Sequence, residues 1–160
     1  MERIRICFVC LGNICRSPTA EACFLDLIER EGLTERFEID SAGTGDYHVG
    51  ERAHPDTRAA AKARGVQVRS IARQFVASDF ARFDHVIAMD RQNRANLLRM
   101  APDEAAKAKV RLFREFEPGA PGDAEVPDPY YEGGFDRVFE ICAAASRGLL
   151  EHLRGAHDLG

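Results

Sequence analysis

The sequence predicts an α/β fold: a single three-layer domain in which a four-stranded parallel sheet carries helices on both faces. Three observations predict it. The chain has 160 residues, about the size of one domain. Its 45% apolar and 30% charged content is that of a chain able to bury a core, not of a disordered or disulfide-stapled one. Short strand-like runs alternate with segments of helical periodicity, the order a parallel sheet needs because its crossovers are helices.

Residues 3–9 alternate and then become continuously apolar, which suits a strand buried on both faces. A turn follows, and then a helix. Ser17 offers a capping hydroxyl, Pro18 a preset first-turn φ, and apolar positions through Leu27 and Ile28 carry the helix to Gly32. Residues 37–40 read as a second short strand and 41–46 as a flexible polar loop. A helical pattern covers 56–64. Residues 84–89 are a third strand, followed by a helix over 91–100 that stops before Pro102. Residues 110–113 make the fourth strand. Four of the seven prolines fall within 117–134, which reads as a long loop. Phe135, Val138, Phe139, Cys142, Leu149, Leu150 and Leu153 recur at helical spacing. The domain is expected to span 1–154, with 155–160 a frayed tail.

Charge and cysteine usage narrow the function. With 22 basic against 26 acidic residues the formal charge is −4, and the 19 arginines form no run, so no nucleic-acid partner is expected. No apolar stretch is long enough for a membrane span, and the N-terminus runs directly into a strand, so a cytoplasmic protein with no membrane partner is expected. Five cysteines, at 7, 10, 15, 23 and 142, are an odd number in a chain that folds without staples, which points to a reducing compartment.

In α/β sheets ligands bind beyond the carboxyl ends of the strands, which directs attention to Cys10-Leu11-Gly12-Asn13-Ile14-Cys15-Arg16-Ser17. A Cys and an Arg at this spacing arise by chance roughly 0.6 times in such a composition, so the context has to carry the reading. The context is specific. A buried strand delivers Cys10 to its carboxyl end, and a helix N-terminus, with free N–H groups and a positive dipole end, faces the same loop. Gly12 and Asn13 tolerate left-handed backbone, which lets successive N–H groups converge on phosphate-like oxygens. The Arg16 guanidinium can hold two oxygens of a phosphoryl group and follow them into the transition state. The same donors favour a Cys10 thiolate, the form that attacks phosphorus. The Ser17 hydroxyl, one turn on, can donate to that sulfur and help it leave when the thiophosphate is hydrolysed. A cysteine phosphatase also needs an acid for the leaving oxygen. In Val126-Pro127-Asp128-Pro129-Tyr130-Tyr131 the two prolines stiffen the backbone around Asp128, the best-constrained carboxylate in the sequence.

Together these segments resemble the low-molecular-weight protein tyrosine phosphatases over nearly the whole chain. The loop from Cys10 to Pro18 and Asp128-Pro129-Tyr130-Tyr131 look like that family's two signatures, with Ser41-Ala42-Gly43-Thr44 and Ala72-Arg73-Gln74 between them in the expected order. The resemblance implies Cys10 as nucleophile, Arg16 as phosphate clamp, and Asp128 as acid and then base, with no cofactor and no metal. It implies a substrate site built on Leu11, Gly12, Asn13, Ile14, Cys15 and Ser17, with Asn13 and Ser41 hydrogen-bonded to support the loop. It further implies that Tyr47 and Tyr130 or Tyr131 wall an aromatic slot, and that Cys15 can form a protective disulfide with Cys10. The partners implied are a phosphotyrosine-bearing protein substrate and phosphate or other oxyanions as competitive ligands. Two positions depart from the pattern. Ser70 stands where some members carry a His that supports the loop, and Arg91 where some carry an acid beside the pocket.

Other readings fit less well. Arsenate reduction needs relay thiols, but Cys7 lies within a strand and Cys23 and Cys142 fall on apolar helical faces. A phosphoarginine phosphatase of this family carries a small Thr after the nucleophile, where Leu11 stands; Leu11 and Ile14 suit an aromatic phosphoester. A phosphopeptide-binding module needs no nucleophile, clamp and acid together. Zinc is not expected because His48, His54, His85, His152 and His157 show no ligand spacing with the cysteines and read as surface or turn residues. Gly43-Thr44-Gly45 lacks the third glycine of a dinucleotide fingerprint.

Overall fold

The structure, a computed structural model, describes residues 2–159. Strands β1 (Ile4–Cys10), β2 (Phe37–Gly43), β3 (His85–Ala88) and β4 (Val110–Leu112) form one sheet in the order β2-β1-β3-β4, with every pair parallel. Helices α1 (Arg16–Arg30) and α6 (Phe135–His157) cover one face, with α2 (Pro55–Lys62) at their edge. Helices α3 (Asp79–Arg82), α4 (Arg91–Met100) and α5 (Glu104–Ala108) cover the other. The expected three layers are therefore present. Among the described residues no helix is long and apolar enough to cross a membrane.

Strand β1 shows why its sequence is apolar on both sides. Ile4, Ile6, Phe8 and Cys10 point into the core shared with α1 and α6, whereas Cys7 and Val9 point into the opposite core. Phe8 makes an edge contact with Phe113, with ring centroids 5.2 Å apart. Cys23 and Cys142 are buried in the first core, as their apolar faces predict. Because the chain crosses to β2 on one side of β1 and to β3 on the other, the switch point lies where β1 and β3 end, and it brings Cys10 close to the residues after Ala88.

The structure departs from expectation at several boundaries. Helix α1 starts at Arg16 with Cys15 as its N-cap and has no side-chain cap: the Ser17 hydroxyl is turned to Cys10 instead of to a helix N–H. Strand β2 runs on to Gly43, so residues 41–43 are strand and not flexible loop; parallel pairing with β1 through Cys10 keeps them extended. Strand β4 ends at Leu112, and Phe113–Phe116 turns into a 3-10 helix. The short elements Thr34–Arg36, α3 and α5 have too few residues to show a period. Helix α6 continues to His157, beyond the expected end at 154, where the His157 ring meets His85 at 3.1 Å between Nε2 atoms. Residue 160 of the expected tail lies outside the described residues.

Candidate active site

Cys10 is the last residue of β1, 3% exposed, and α1 begins six residues later. The turn between them is tight. Asn13 sits at φ 57°, which lets its N–H double back to donate to the Cys10 sulfur at 3.3 Å. Gly12, expected to share this geometry, does not have positive φ. The Ser17 hydroxyl lies 3.0 Å from the same sulfur, so an N–H of the loop and a hydroxyl of the helix both address it. At the neighbouring turn the backbone approaches so closely that a Cβ on Gly43 would lie 2.6 Å from the Leu11 carbonyl oxygen.

The Asn13 amide supports this geometry from behind. Its Nδ2 donates to Ser17 at 2.8 Å and to Ser41 at 3.0 Å, while its Oδ1 accepts from the Arg73 backbone N–H at 3.1 Å. Ser41 donates onward to Glu21 at 2.5 Å. Burial pushes the Glu21 carboxyl up to about 7, against the lowering effect of that hydrogen bond. The Asn13–Ser41 support is as the resemblance implies. Ser70 takes no part, since its buried hydroxyl has no hydrogen-bond partner.

Arg16, 4% exposed, faces the cavity from the first turn of α1. Its Nη1 donates to Asp90 at 2.6 Å and to the Val126 carbonyl at 3.3 Å, and its Nη2 lies 3.5 Å from Asp128. Burial opposes the charge, but Cys10, Asp90 and Asp128 outweigh it and hold the guanidinium above its ordinary pKa. Asp90 is a site residue that sequence reasoning missed. One carboxylate oxygen caps α4 through the Asn93 N–H at 2.7 Å, and the other holds Arg16. Its signal was an acid just past a buried strand and at a helix start, beside the switch point.

A cavity of about 440 Å³ opens over Cys10. Leu11, Gly12, Ile14, Cys15 and Arg16 form its floor and Tyr47, Asp128, Tyr130 and Tyr131 its walls and rim, so the two distant motifs do converge. Asn13, Ser17 and Ser41 stand behind it as support and do not line it. Tyr131 is 91% exposed and Tyr130 41%, which makes Tyr130 the wall and Tyr131 the rim. His48 also lines the cavity, its ring 5.9 Å from Tyr130 and its Nδ1 3.0 Å from Glu51. His54 caps α2 and stacks on Phe135 at 4.9 Å. His48 in the turn over residues 47–50 and His54 at the start of α2 are both partly exposed, as expected of surface or turn histidines; ring contacts with Tyr130, and for His54 with Phe135 as well, add to this only in three dimensions. Burial pushes the Cys15 thiol up to about 12, leaving it protonated at neutral pH.

A cysteine sulfur, a buried guanidinium and a loop-borne carboxylate thus surround one cavity, and a family model described as low molecular weight phosphotyrosine protein phosphatase matches residues 5–158. The chain belongs to this family. Similar proteins include a low molecular weight protein-tyrosine-phosphatase of Streptomyces coelicolor, 50% identical and covering 94% of this chain and 93% of its own length. The crystal structure of a protein tyrosine phosphatase from Entamoeba histolytica with Hepes in its active site is 44% identical. It superposes with TM-score 0.91, covering 96% of this chain and 98% of that one. A YwlE arginine phosphatase mutant with a phosphorylated active site serine is 26% identical, with TM-score 0.85, covering 98% of this chain and 100% of that one. The family is one of cysteine-based phosphatases, and the Cys10 loop of this phosphatase occupies the position where β1 meets α1.

Proposed function

We propose that this phosphatase hydrolyses phosphotyrosine in protein substrates, with Cys10 as nucleophile, Arg16 as phosphate clamp and Asp128 as proton donor and acceptor. The observation that carries the reading is the convergence of these three groups on one cavity, with Asn13 and Ser17 addressing the sulfur from the protein side. The Cys10 thiolate attacks phosphorus, forming the S–P bond as the P–O bond to the tyrosyl oxygen breaks, and Asp128 passes its proton to that oxygen. Asp128, now a carboxylate, takes a proton from the attacking water. The S–P bond then breaks, giving phosphate and a thiolate stabilised by Ser17. Arg16 swings its second donor pair from Asp128 to the phosphoryl oxygens, with Asp90 holding the other side of the guanidinium.

Leu11, Ile14, Tyr47 and Tyr130 form a slot suited to a flat aryl ring, which favours phosphotyrosine over phosphoarginine or phosphoserine. Free phosphate and other oxyanions compete for the cradle built from Leu11, Gly12, Ile14, Cys15 and Arg16. All five cysteines are free thiols, in keeping with a reducing cytoplasm, and Cys10 and Cys15 line one cavity, where a two-electron oxidant such as a peroxide would join the two thiols in the protective disulfide the resemblance implies.

Turnover of para-nitrophenyl phosphate and a phosphotyrosine peptide, against phosphoserine, phosphoarginine and arsenate, tests the reading in wild type, Cys10→Ser and Asp128→Asn. Aryl phosphate turnover vanishes in Cys10→Ser and falls by roughly 10²-fold or more in Asp128→Asn. Activity that survives Cys10→Ser overturns the mechanism, and a preference for phosphoarginine overturns the substrate.

A further inference from the structure

Asp128 sits in a loop without regular structure, yet an acid must stand at a defined height over the sulfur to protonate the leaving oxygen. The root of that loop is held two and three residues before it. The Val126 N–H donates to the Met89 carbonyl at 2.8 Å, and the Val126 carbonyl accepts from Arg16 at 3.3 Å. Glu125 is held more firmly still. Its carboxylate accepts from the Arg91 backbone N–H at 2.9 Å and lies 3.3 Å from Arg91 Nε. Its carbonyl accepts from Arg114 at 2.9 Å, and Arg114 is itself forked onto Glu117 at 3.0 and 3.1 Å. Beyond Glu125 and Val126, the ring of Pro127 removes one torsion of the few that separate this root from Asp128.

Asp90 and Arg91 are consecutive at the start of α4. One holds the phosphate clamp Arg16, and the other holds the root of the acid loop. A single turn therefore sets the clamp and the acid in register. Arg91 itself is 58% exposed along its side chain and does not line the cavity over the sulfur.

We propose that Arg91 and Glu125 form a positioning clamp that sets the height of Asp128 over Cys10 and so governs proton delivery to the leaving oxygen, with no part in phosphate binding. This rests on Asp128 being the acid. When the proton moves in step with P–O cleavage, the leaving oxygen gathers little charge and its basicity matters little. When the acid is displaced, charge collects there and basic leaving groups suffer most. An exposed ion pair contributes little to stability, so variants at these positions fold, and the effect shows in the chemistry.

The test is kcat/KM over a series of aryl phosphates from nitrophenyl to phenyl, with inhibition by inorganic phosphate as the readout of binding. It is run for wild type, Arg91→Ala, Arg91→Lys and Glu125→Ala, each alone and with Asp128→Asn. For Arg91→Ala and Glu125→Ala the phenyl ester loses about 5- to 10-fold and the nitrophenyl ester less than about 2-fold, with phosphate inhibition unchanged. Arg91→Lys recovers part of the loss, and in the Asp128→Asn background neither variant steepens the series further. An equal loss for every ester, or no loss, overturns the clamp while an Asp128→Asn series that is steep leaves the acid standing. A flat Asp128→Asn series removes the acid assignment, and the clamp with it.

Discussion

Asn13 does three things with one buried amide: it orients Ser17, braces Ser41 and takes the Arg73 backbone N–H, all from a left-handed backbone position. Asn13→Ala leaves those partners without it and puts a Cβ-bearing residue with no compensating hydrogen bonds at φ 57°. We expect a loss of roughly 2–4 kcal/mol in urea denaturation. A fall in kcat/KM for para-nitrophenyl phosphate should accompany it, as Ser17 loses its orientation on the sulfur. Residue chemistry at this scale was partly legible in the sequence. Cys10, Arg16 and Asp128 announced themselves by type and setting, whereas Asp90 and His48 did not, because an acid at a helix start and a histidine in a polar loop have commoner explanations.

At the scale of elements, helix α6 is positioned by a glycine. A Cβ on Gly148 would lie 1.7 Å from the Phe116 carbonyl oxygen, so α6 lies directly against the 3-10 turn after β4. In an isolated helix Gly148→Ala gains about 1 kcal/mol. Here the helix or the turn must shift, and we expect a net loss on the order of 2 kcal/mol, read as a lower urea midpoint at unchanged slope. The helical period of α6 was plain in the sequence, but this contact was not, since nothing local distinguishes a glycine that permits approach from one that merely weakens a helix. The start of α1 shows the same limit. Ser17 and Pro18 are the residues a helix start uses, yet the Ser17 hydroxyl turns away from the helix to meet Cys10, a partner seven residues back.

Across the whole molecule, the first residue of β3 and the last of α6 meet in the pair His85–His157. Burial first, and then the neighbouring His157, push His85 down to about 4; His152 and Arg111 act in the same sense and Asp84 against it. Unfolded, the same histidine titrates near 6.5, so between those values the unfolded chain binds more protons than the native one. Stability is thus fully present above about 6.5 and declines as pH falls toward about 4. After allowance for partial exposure the decline is on the order of 1–2 kcal/mol. Glu21, raised to about 7, acts in the opposite sense over the same range in both proteins, so the check is the comparison: relative to wild type, the urea midpoint of His85→Gln should gain at pH 5 over its value at pH 7. By itself the amino-acid sequence determined the layer architecture, the four strands and the chemistry of the Cys10 loop, because burial on both faces and a strand-loop-helix turn leave local patterns. Only the tertiary structure decided which carboxylate holds Arg16, that Arg91 reaches the root of the acid loop, and that His48 lines the cavity while His54 packs against Tyr130 and Phe135. Those depend on contacts between residues far apart in the chain, which no local period encodes.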